Sequence, residues 1–181
     1  MEISPTRIPD VWVFTPRVFG DDRGYFLETF RSSHFKERGI EKEFVQDNQS
    51  KSSLGILRGL HYQLEFPQGK LVRVLSGEVF DVAVDIRRSS PTFGQWVGEL
   101  LSADNKKQIW VPPGFAHGFY VTSEFAEIAY KCTEYYHPED DHSLLWNDPD
   151  IGIEWPLVTP DPVLSDKDKN AKNLSEAALF D

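Results

Sequence analysis

The run Val79–Ile86 alternates without a break: Phe80, Val82, Val84 and Ile86 share one face, and Asp81, Ala83 and Asp85 share the other. A period of two over eight residues is the pattern of a β-strand. Ser76-Gly77, just before it, fits a tight turn within the strand-like stretch Lys70–Ile86. Further strand-like runs follow at Trp96–Leu101, Gln108–Val111, His117–Val121 and Phe125–Cys132. Asp104-Asn105, Pro112-Pro113-Gly114 and Thr122-Ser123-Glu124 separate them. Many short strands with evenly spaced turns predict a mainly β chain, a sandwich or barrel. Such a chain must close or cover its edges, and a jelly roll does so with two facing sheets. Pairing of the N-terminal strands with a second subunit, and hence a homodimer, is a further expectation.

Helical patterning is scarce. Ser32–Arg38 reads as a short helix, capped by Ser32 or Ser33 and stopped by Gly39. Asn173–Phe180 reads as a second. Pro156–Pro162 is proline-rich and predicts an extended arm leading to the charged segment Leu164–Asp168. The expected organisation is one domain over residues 1–181, with 157–181 as a C-terminal arm. With 40% hydrophobic and 13% aromatic residues, the chain has the composition of a packed globule.

A net charge of -10 makes nucleic acid a poor partner, since an acidic surface repels a phosphate backbone. A phosphorylated small molecule is compatible if Arg and Lys cluster in one pocket. Cys132 is the only cysteine, so no intrachain disulfide forms, and a reducing, cytoplasmic location fits. Met1-Glu2-Ile3-Ser4-Pro5 lacks the basic and apolar regions of a secretory leader. No apolar run approaches the roughly 18 residues of a membrane helix, so no membrane partner is expected.

Chemistry concentrates in Leu57-Arg58-Gly59-Leu60-His61-Tyr62-Gln63, with Lys70 nine residues beyond His61. A neutral imidazole is the commonest general base at neutral pH, and it works best when a carboxylate orients it. Asp166 and Asp168 can do this if the arm folds back. Tyr130 shares the apolar parity of Ala126, Ile128 and Cys132 and so points inward, as a core tyrosine or as a proton donor facing His61. Lys70, after Gln68-Gly69, is a solvated strand-end lysine or a cation at a barrel mouth, where it would stabilise an enolate oxygen. Arg23, between Asp22 and Gly24, suggests only a turn, and His117 fits a core histidine as well as a ligand-binding one. Strict alternation puts Arg58 and His61 on opposite faces, so both serve one pocket only if Gly59 marks a bulge. The five histidines include no His-X-His pair, which argues against a cupin-type metal site.

These segments, with Gln46-Asp47-Asn48, Pro113-Gly114-Phe115-Ala116-His117-Gly118 and Ala129-Tyr130-Lys131, resemble the dTDP-4-dehydrorhamnose 3,5-epimerase family from about Arg17 to Asp168. The resemblance implies a cupin-type jelly roll, a homodimer, no metal or other cofactor, and epimerisation of dTDP-4-dehydro-6-deoxy-D-glucose at C3 and C5. It implies that His61 is the base, Asp168 its partner, Tyr130 the proton donor on the opposite face, and Lys70 the cation at the C4 oxygen. Arg23 and Glu28, with Phe19 and Phe26 nearby, would contact substrate across the dimer. Gln46, Asn48, Arg58, His117 and Lys167 would bind the nucleotide and its diphosphate, and Tyr136 would stack on thymine or sugar. Asp141 stands where the family often has Glu. The Gln63–Lys70 connection is a residue shorter than in some relatives. A single-site epimerase of another dTDP-4-keto-6-deoxysugar shares the same motifs and is the alternative.

Overall fold

A computed structural model of the chain describes residues 1–181. Thirteen strands form in chain order. They are β1 (Glu2–Pro5), β2 (Trp12–Thr15), β3 (Val18–Asp21), β4 (Gly24–Leu27), β5 (Gln46–Ser53), β6 (Leu57–Gln63), β7 (Lys70–Ser76), β8 (Glu78–Asp85), β9 (Trp96–Ser102), β10 (Gln108–Val111), β11 (Phe115–Val121), β12 (Phe125–Cys132) and β13 (Asp141–Ser143). Two short α-helices, α1 (Ser32–Lys36) and α2 (Asp166–Lys169), and one 3-10 turn at Pro138–Asp140 complete the regular elements. The runs Gln108–Val111 and Phe125–Cys132 form strands with the bounds the alternation predicts.

Eleven of the strands make two facing sheets, in the orders β1-β2-β10-β7-β12-β5 and β13-β6-β11-β8-β9, while β3 and β4 pair only with each other. The all-antiparallel pairing of sequence-distant strands makes this a jelly roll. Between the sheets lies an apolar core in which Val72, Val74, Val79, Ala83, Ile109, Val111, Phe119, Ala126 and Ile128 interdigitate.

Strand β8 divides its faces in an unexpected sense. Val82, Val84 and Ile86 join a second cluster outside the barrel, with Leu144, Ile151, Leu174 and Ala177. Ala83 faces the inner core, and Asp81 and Asp85 are fully buried. The residues after β13 therefore act as a lid over the outer face of the five-stranded sheet. This lid explains why both faces of β8 exclude water. A third cluster covers part of the other sheet, where Phe35 of α1 packs on Phe14, Leu71 and Trp110.

Two expectations need correction. Neither Ser32 nor Ser33 caps α1: the N-cap is Arg31, and no side chain accepts there. The segment Asn173–Phe180 is not a helix. It makes a single turn closed by the N–H groups of Glu176 and Ala177 on Asn173 O, after which Phe180 pairs with the Arg87 region in an extended bridge. Its apolar residues serve the outer cluster from an irregular path, so apolar spacing alone misled. The segment that does become helical is Asp166–Lys169, where Ser165 supplies a side-chain N-cap. No helix is long and apolar enough to cross a membrane.

Candidate active site

A cavity of about 290 Å³ opens between the two sheets, and His61, Lys70, Tyr130, Tyr136, Asp141, Gln46 and Asn48 are on its wall. His61 enters from β6 of one sheet, and Tyr130 enters from β12 of the other. The imidazole and the phenol thus approach the same space from opposite sides. Gly59 makes this possible. It has φ +129°, and pairing of β6 with β11 slips its register between His117 and Phe119. A Cβ on Gly59 would lie 2.5 Å from Gly118 Cα, so two glycines let the backbones touch where the strand bulges. Beyond the bulge Arg58 stays exposed and off the cavity wall, donating to Ser52 Oγ at 3.0 Å, close enough to act electrostatically on Tyr130. The bulge expected at Gly59 is present, but only His61 of the two residues lines the cavity.

His61 Nε2 lies 2.6 Å from Asp168 Oδ1. Asp168 is 2% exposed and belongs to the returning arm, stitched to β6 through Val163 N to Gly55 O at 2.8 Å and Leu57 N to Val163 O at 3.0 Å. Burial opposes charge on Asp168, but the hydrogen bonds from His61 and Ser165 prevail and hold its carboxyl below the usual range. An ionised Asp168 is an acceptor only, so Nε2 must donate and the free lone pair resides on Nδ1.

The Lys70 ammonium makes no hydrogen bond or ion pair within the chain. Burial pushes its ammonium below the ordinary lysine range, against the opposing pull of Cys132, Asp141 and Asp81. Its placement depends on Gly69, where a Cβ would meet Trp110 Cη2 at 2.2 Å. Thr133 Oγ1 accepts from Gly69 N at 2.8 Å, and Thr133 N returns a bond to Gly69 O at 3.0 Å. Burial pushes the Tyr130 phenol upward, so it holds its proton through neutral pH. At the rim, the Tyr136 hydroxyl donates to Asp141 Oδ2 at 2.9 Å, and Lys167 Nζ approaches the same oxygen at 2.5 Å. That bond to Asp141 raises the Tyr136 phenol as well. Gln46 Nε2 donates to Asn48 Oδ1 at 3.0 Å, and Gln46 Oε1 accepts from Tyr136 N at 3.0 Å.

Other expected residues lie elsewhere. His117 is cross-strand from His61 but is 8% exposed and off the cavity wall, with Nε2 2.9 Å from buried Asp81 Oδ1. Phe19, Arg23 and Phe26 sit on the separate β3–β4 hairpin, with Glu28 just past its end. There Arg23 pairs with Asp21, and Glu28 accepts from Arg31 at 2.6 Å. Within one chain none of these four reaches the cavity. Tyr62, part of the same polar run as His61, borders the cavity, but its ring packs in the outer cluster and its hydroxyl donates to Ala178 O at 2.7 Å.

Sequence reasoning missed Gln63 and Gln68, both on the cavity wall. Gln63 Nε2 donates to Phe66 O at 2.7 Å and Tyr135 O at 3.1 Å, and its Oε1 accepts from His137 N at 2.9 Å. It thereby ties β6 to both loops at the mouth. Its position two residues after His61, on the same strand face, was the available signal. Asp140, equally unforeseen, accepts from the N–H groups of Leu64, Glu65 and Phe66 at 3.1, 2.9 and 2.9 Å. No group of three or more His, Cys, Asp or Glu side chains is arranged to hold a metal ion.

An imidazole backed by a carboxylate, a protonated phenol opposite, and a half-buried ammonium beside them form a proton-transfer site for a carbon next to a carbonyl. Comparison with known proteins agrees. The chain is 56% identical over 181 residues to the dTDP-4-dehydrorhamnose 3,5-epimerase of Pseudomonas aeruginosa, covering 99% of both chains. It is 57% identical over 182 residues to that of Shigella flexneri, again covering 99% of both. A crystal structure of the Legionella pneumophila epimerase RmlC, in complex with dTDP-4-keto-L-rhamnose, superposes with a TM-score of 0.96 at 54% identity, covering 99% of this chain and 97% of that one. The model of the dTDP-4-dehydrorhamnose 3,5-epimerase family matches residues 5–176, and the chain belongs to that family.

Proposed function

We propose that this chain converts dTDP-4-dehydro-6-deoxy-D-glucose to dTDP-4-dehydro-L-rhamnose by proton exchange at C3 and C5, without a metal or other cofactor. The observation that carries the reading is the placement of the His61–Asp168 pair and Tyr130 on facing sheets around one cavity, with Lys70 on its wall. His61 Nδ1 takes the proton from the carbon beside the C4 ketone, and the C–H electron pair moves into an enolate. The Lys70 ammonium stabilises the enolate oxygen, and its want of any other partner leaves its donors free for that oxygen. Tyr130 returns a proton to the opposite face of the carbon, which inverts it. Solvent then restores the phenol and carries away the proton on His61. Asp168 keeps the productive tautomer and stabilises the transient imidazolium.

Arg58, Lys167, Gln46, Asn48 and Tyr136 serve the nucleotide diphosphate, with Asp141 holding Lys167 and Tyr136 at the rim. His117 supports this wall from beneath through Asp81. The β3–β4 hairpin belongs to the site of a second copy. It carries exposed Phe19 and Phe26 (52% and 71%) together with Arg23 and Glu28, and it pairs with neither main sheet. The same apolar exposure supports a homodimer. A reducing, cytoplasmic setting suits the free thiol of Cys132.

The test is incubation with dTDP-4-dehydro-6-deoxyglucose in D2O, followed by NMR. Deuterium at C3 and C5, with a downstream reductase yielding dTDP-L-rhamnose, is the expected result. Deuterium at one carbon would make the chain a single-site epimerase, and no exchange would overturn the reading.

A further inference from the structure

Asp168 uses only one carboxylate oxygen on His61. Oδ2 accepts from Ser165 Oγ at 2.8 Å, and the same hydroxyl accepts from Asp168 N at 3.1 Å. Ser165 is the N-cap of α2, with φ -69° and ψ 162°, and Asp168 is its third helical residue. In an ordinary capping box, the side chain at this third position turns back to the backbone N–H of the cap. Here the carboxylate instead spans the cap hydroxyl and the His61 ring. Its plane is therefore set at two points, one on the arm and one on β6. The arm is tied down on both sides of α2, by Val163 against Gly55 and Leu57 and by Lys172 O accepting from Leu145 N at 2.9 Å. Neither tie touches the carboxylate, so on the arm side it is the hydroxyl of Ser165 that holds its rotation.

We propose that Ser165 is a positioning residue for the proton-abstracting pair: its hydroxyl fixes the Asp168 carboxylate so that Oδ1 meets His61 Nε2. This inference rests on the function proposed above. Removing the donor leaves a buried carboxylate oxygen without a partner, and the group then turns to seek one at the expense of His61. A hydroxyl that merely capped the helix would be replaceable by any good cap. Aspartate at the cap still accepts from Asp168 N, but it has no proton to give to Oδ2 and repels it.

The experiment compares S165D, S165T and S165A with the parent for thermal unfolding, kcat and KM. Expected are an unfolding temperature near parental in S165T and lowered in S165D and S165A, kcat lowered about tenfold or more in S165D and S165A with KM little changed, and recovery of kcat in S165T. In a D168N background, S165A should cost less activity than it costs the parent. A ligand-free measurement stands beside these: the 15N–1H spectrum of the His61 ring, where the strongly hydrogen-bonded Nε2 proton should persist in S165T and be lost or displaced in S165D. Parental kcat and an unchanged ring spectrum in S165D would overturn the role of Ser165. If the parent itself does not act on the dTDP sugar, the functional reading fails, and the ring spectrum still decides whether Ser165 orients the pair.

Discussion

Replacing Asp168 with Asn removes one charge at almost constant volume, and the surroundings dictate how the amide will sit. His61 Nε2–H, 2.6 Å from Oδ1, requires an acceptor, whereas the Ser165 hydroxyl can donate or accept. The amide oxygen therefore remains toward His61, and its nitrogen takes the Ser165 side. The productive tautomer survives, but the imidazolium formed during proton abstraction loses its counter-ion. A charge-assisted hydrogen bond contributes roughly 1.5–3 kcal/mol and a neutral one about 1 kcal/mol, so the difference is about 0.5–2 kcal/mol. That corresponds to a fall in kcat of about 2–30-fold. If the amide were reversed, the tautomer would be wrong and the loss would approach about 10⁴-fold. KM should hardly move, because Asp168 lies behind His61 and off the cavity wall. Steady-state kinetics with a coupled reductase, alongside deuterium incorporation, measures both parameters. Unchanged kcat, or a raised KM with kcat intact, would refute the role of Asp168 as the partner of the base.

His61→Asn should abolish turnover and deuterium incorporation while leaving substrate affinity nearly intact, read by calorimetry beside the NMR assay. Tyr130→Phe should impair net epimerisation more than exchange, since abstraction by His61 persists without the donor on the other face; equal loss of both would place Tyr130 elsewhere in the scheme. Gly69→Ala should destabilise by about 1–3 kcal/mol, because the new methyl overlaps Trp110, and should also lower kcat by moving Lys70; a denaturation midpoint and kinetics equal to the parent would contradict this. The carboxyls of Asp85, Asp140 and Asp168 are all held below their ordinary values, so their ionised forms favour the folded chain. That stability is complete above the unfolded carboxyl range near about pH 4 and is lost as pH falls through the lower folded values. Asp140→Asn should therefore flatten the acid limb of a plot of unfolding temperature against pH.

Strand existence was legible where one side of a strand meets the inner core, as in β12, whose alternation set both its limits and the inward aim of Tyr130. Strand β8 was legible as a strand but not in orientation. Its aliphatic face serves an outer cluster built by residues some 60 to 90 positions later, and no local pattern reports such a partner. The bulge at Gly59 could be inferred from the clash between parity and chemistry at Arg58 and His61. The pairing of His61 with Asp168 could be stated as a possibility, since it needed only a returning arm. The His117–Asp81 pair and the brace at Gln63 were not foreseen, because both depend on which strands become neighbours. Asn173–Phe180 failed as a helix for a related reason: packing against a finished sheet outweighed its weak intrinsic preference.

The two members of the proton-abstracting pair are separated by 107 positions in the chain. Bringing them together closes a long loop, an entropic cost borne only after the strands between them have paired. The base is thus armed at the end of folding rather than along the way. A barrel whose arm has not docked would have His61 in place and no carboxylate behind it. Recovery of enzymatic turnover after dilution from denaturant then becomes a clock for arm docking, running behind the burial of the tryptophans in the sheets.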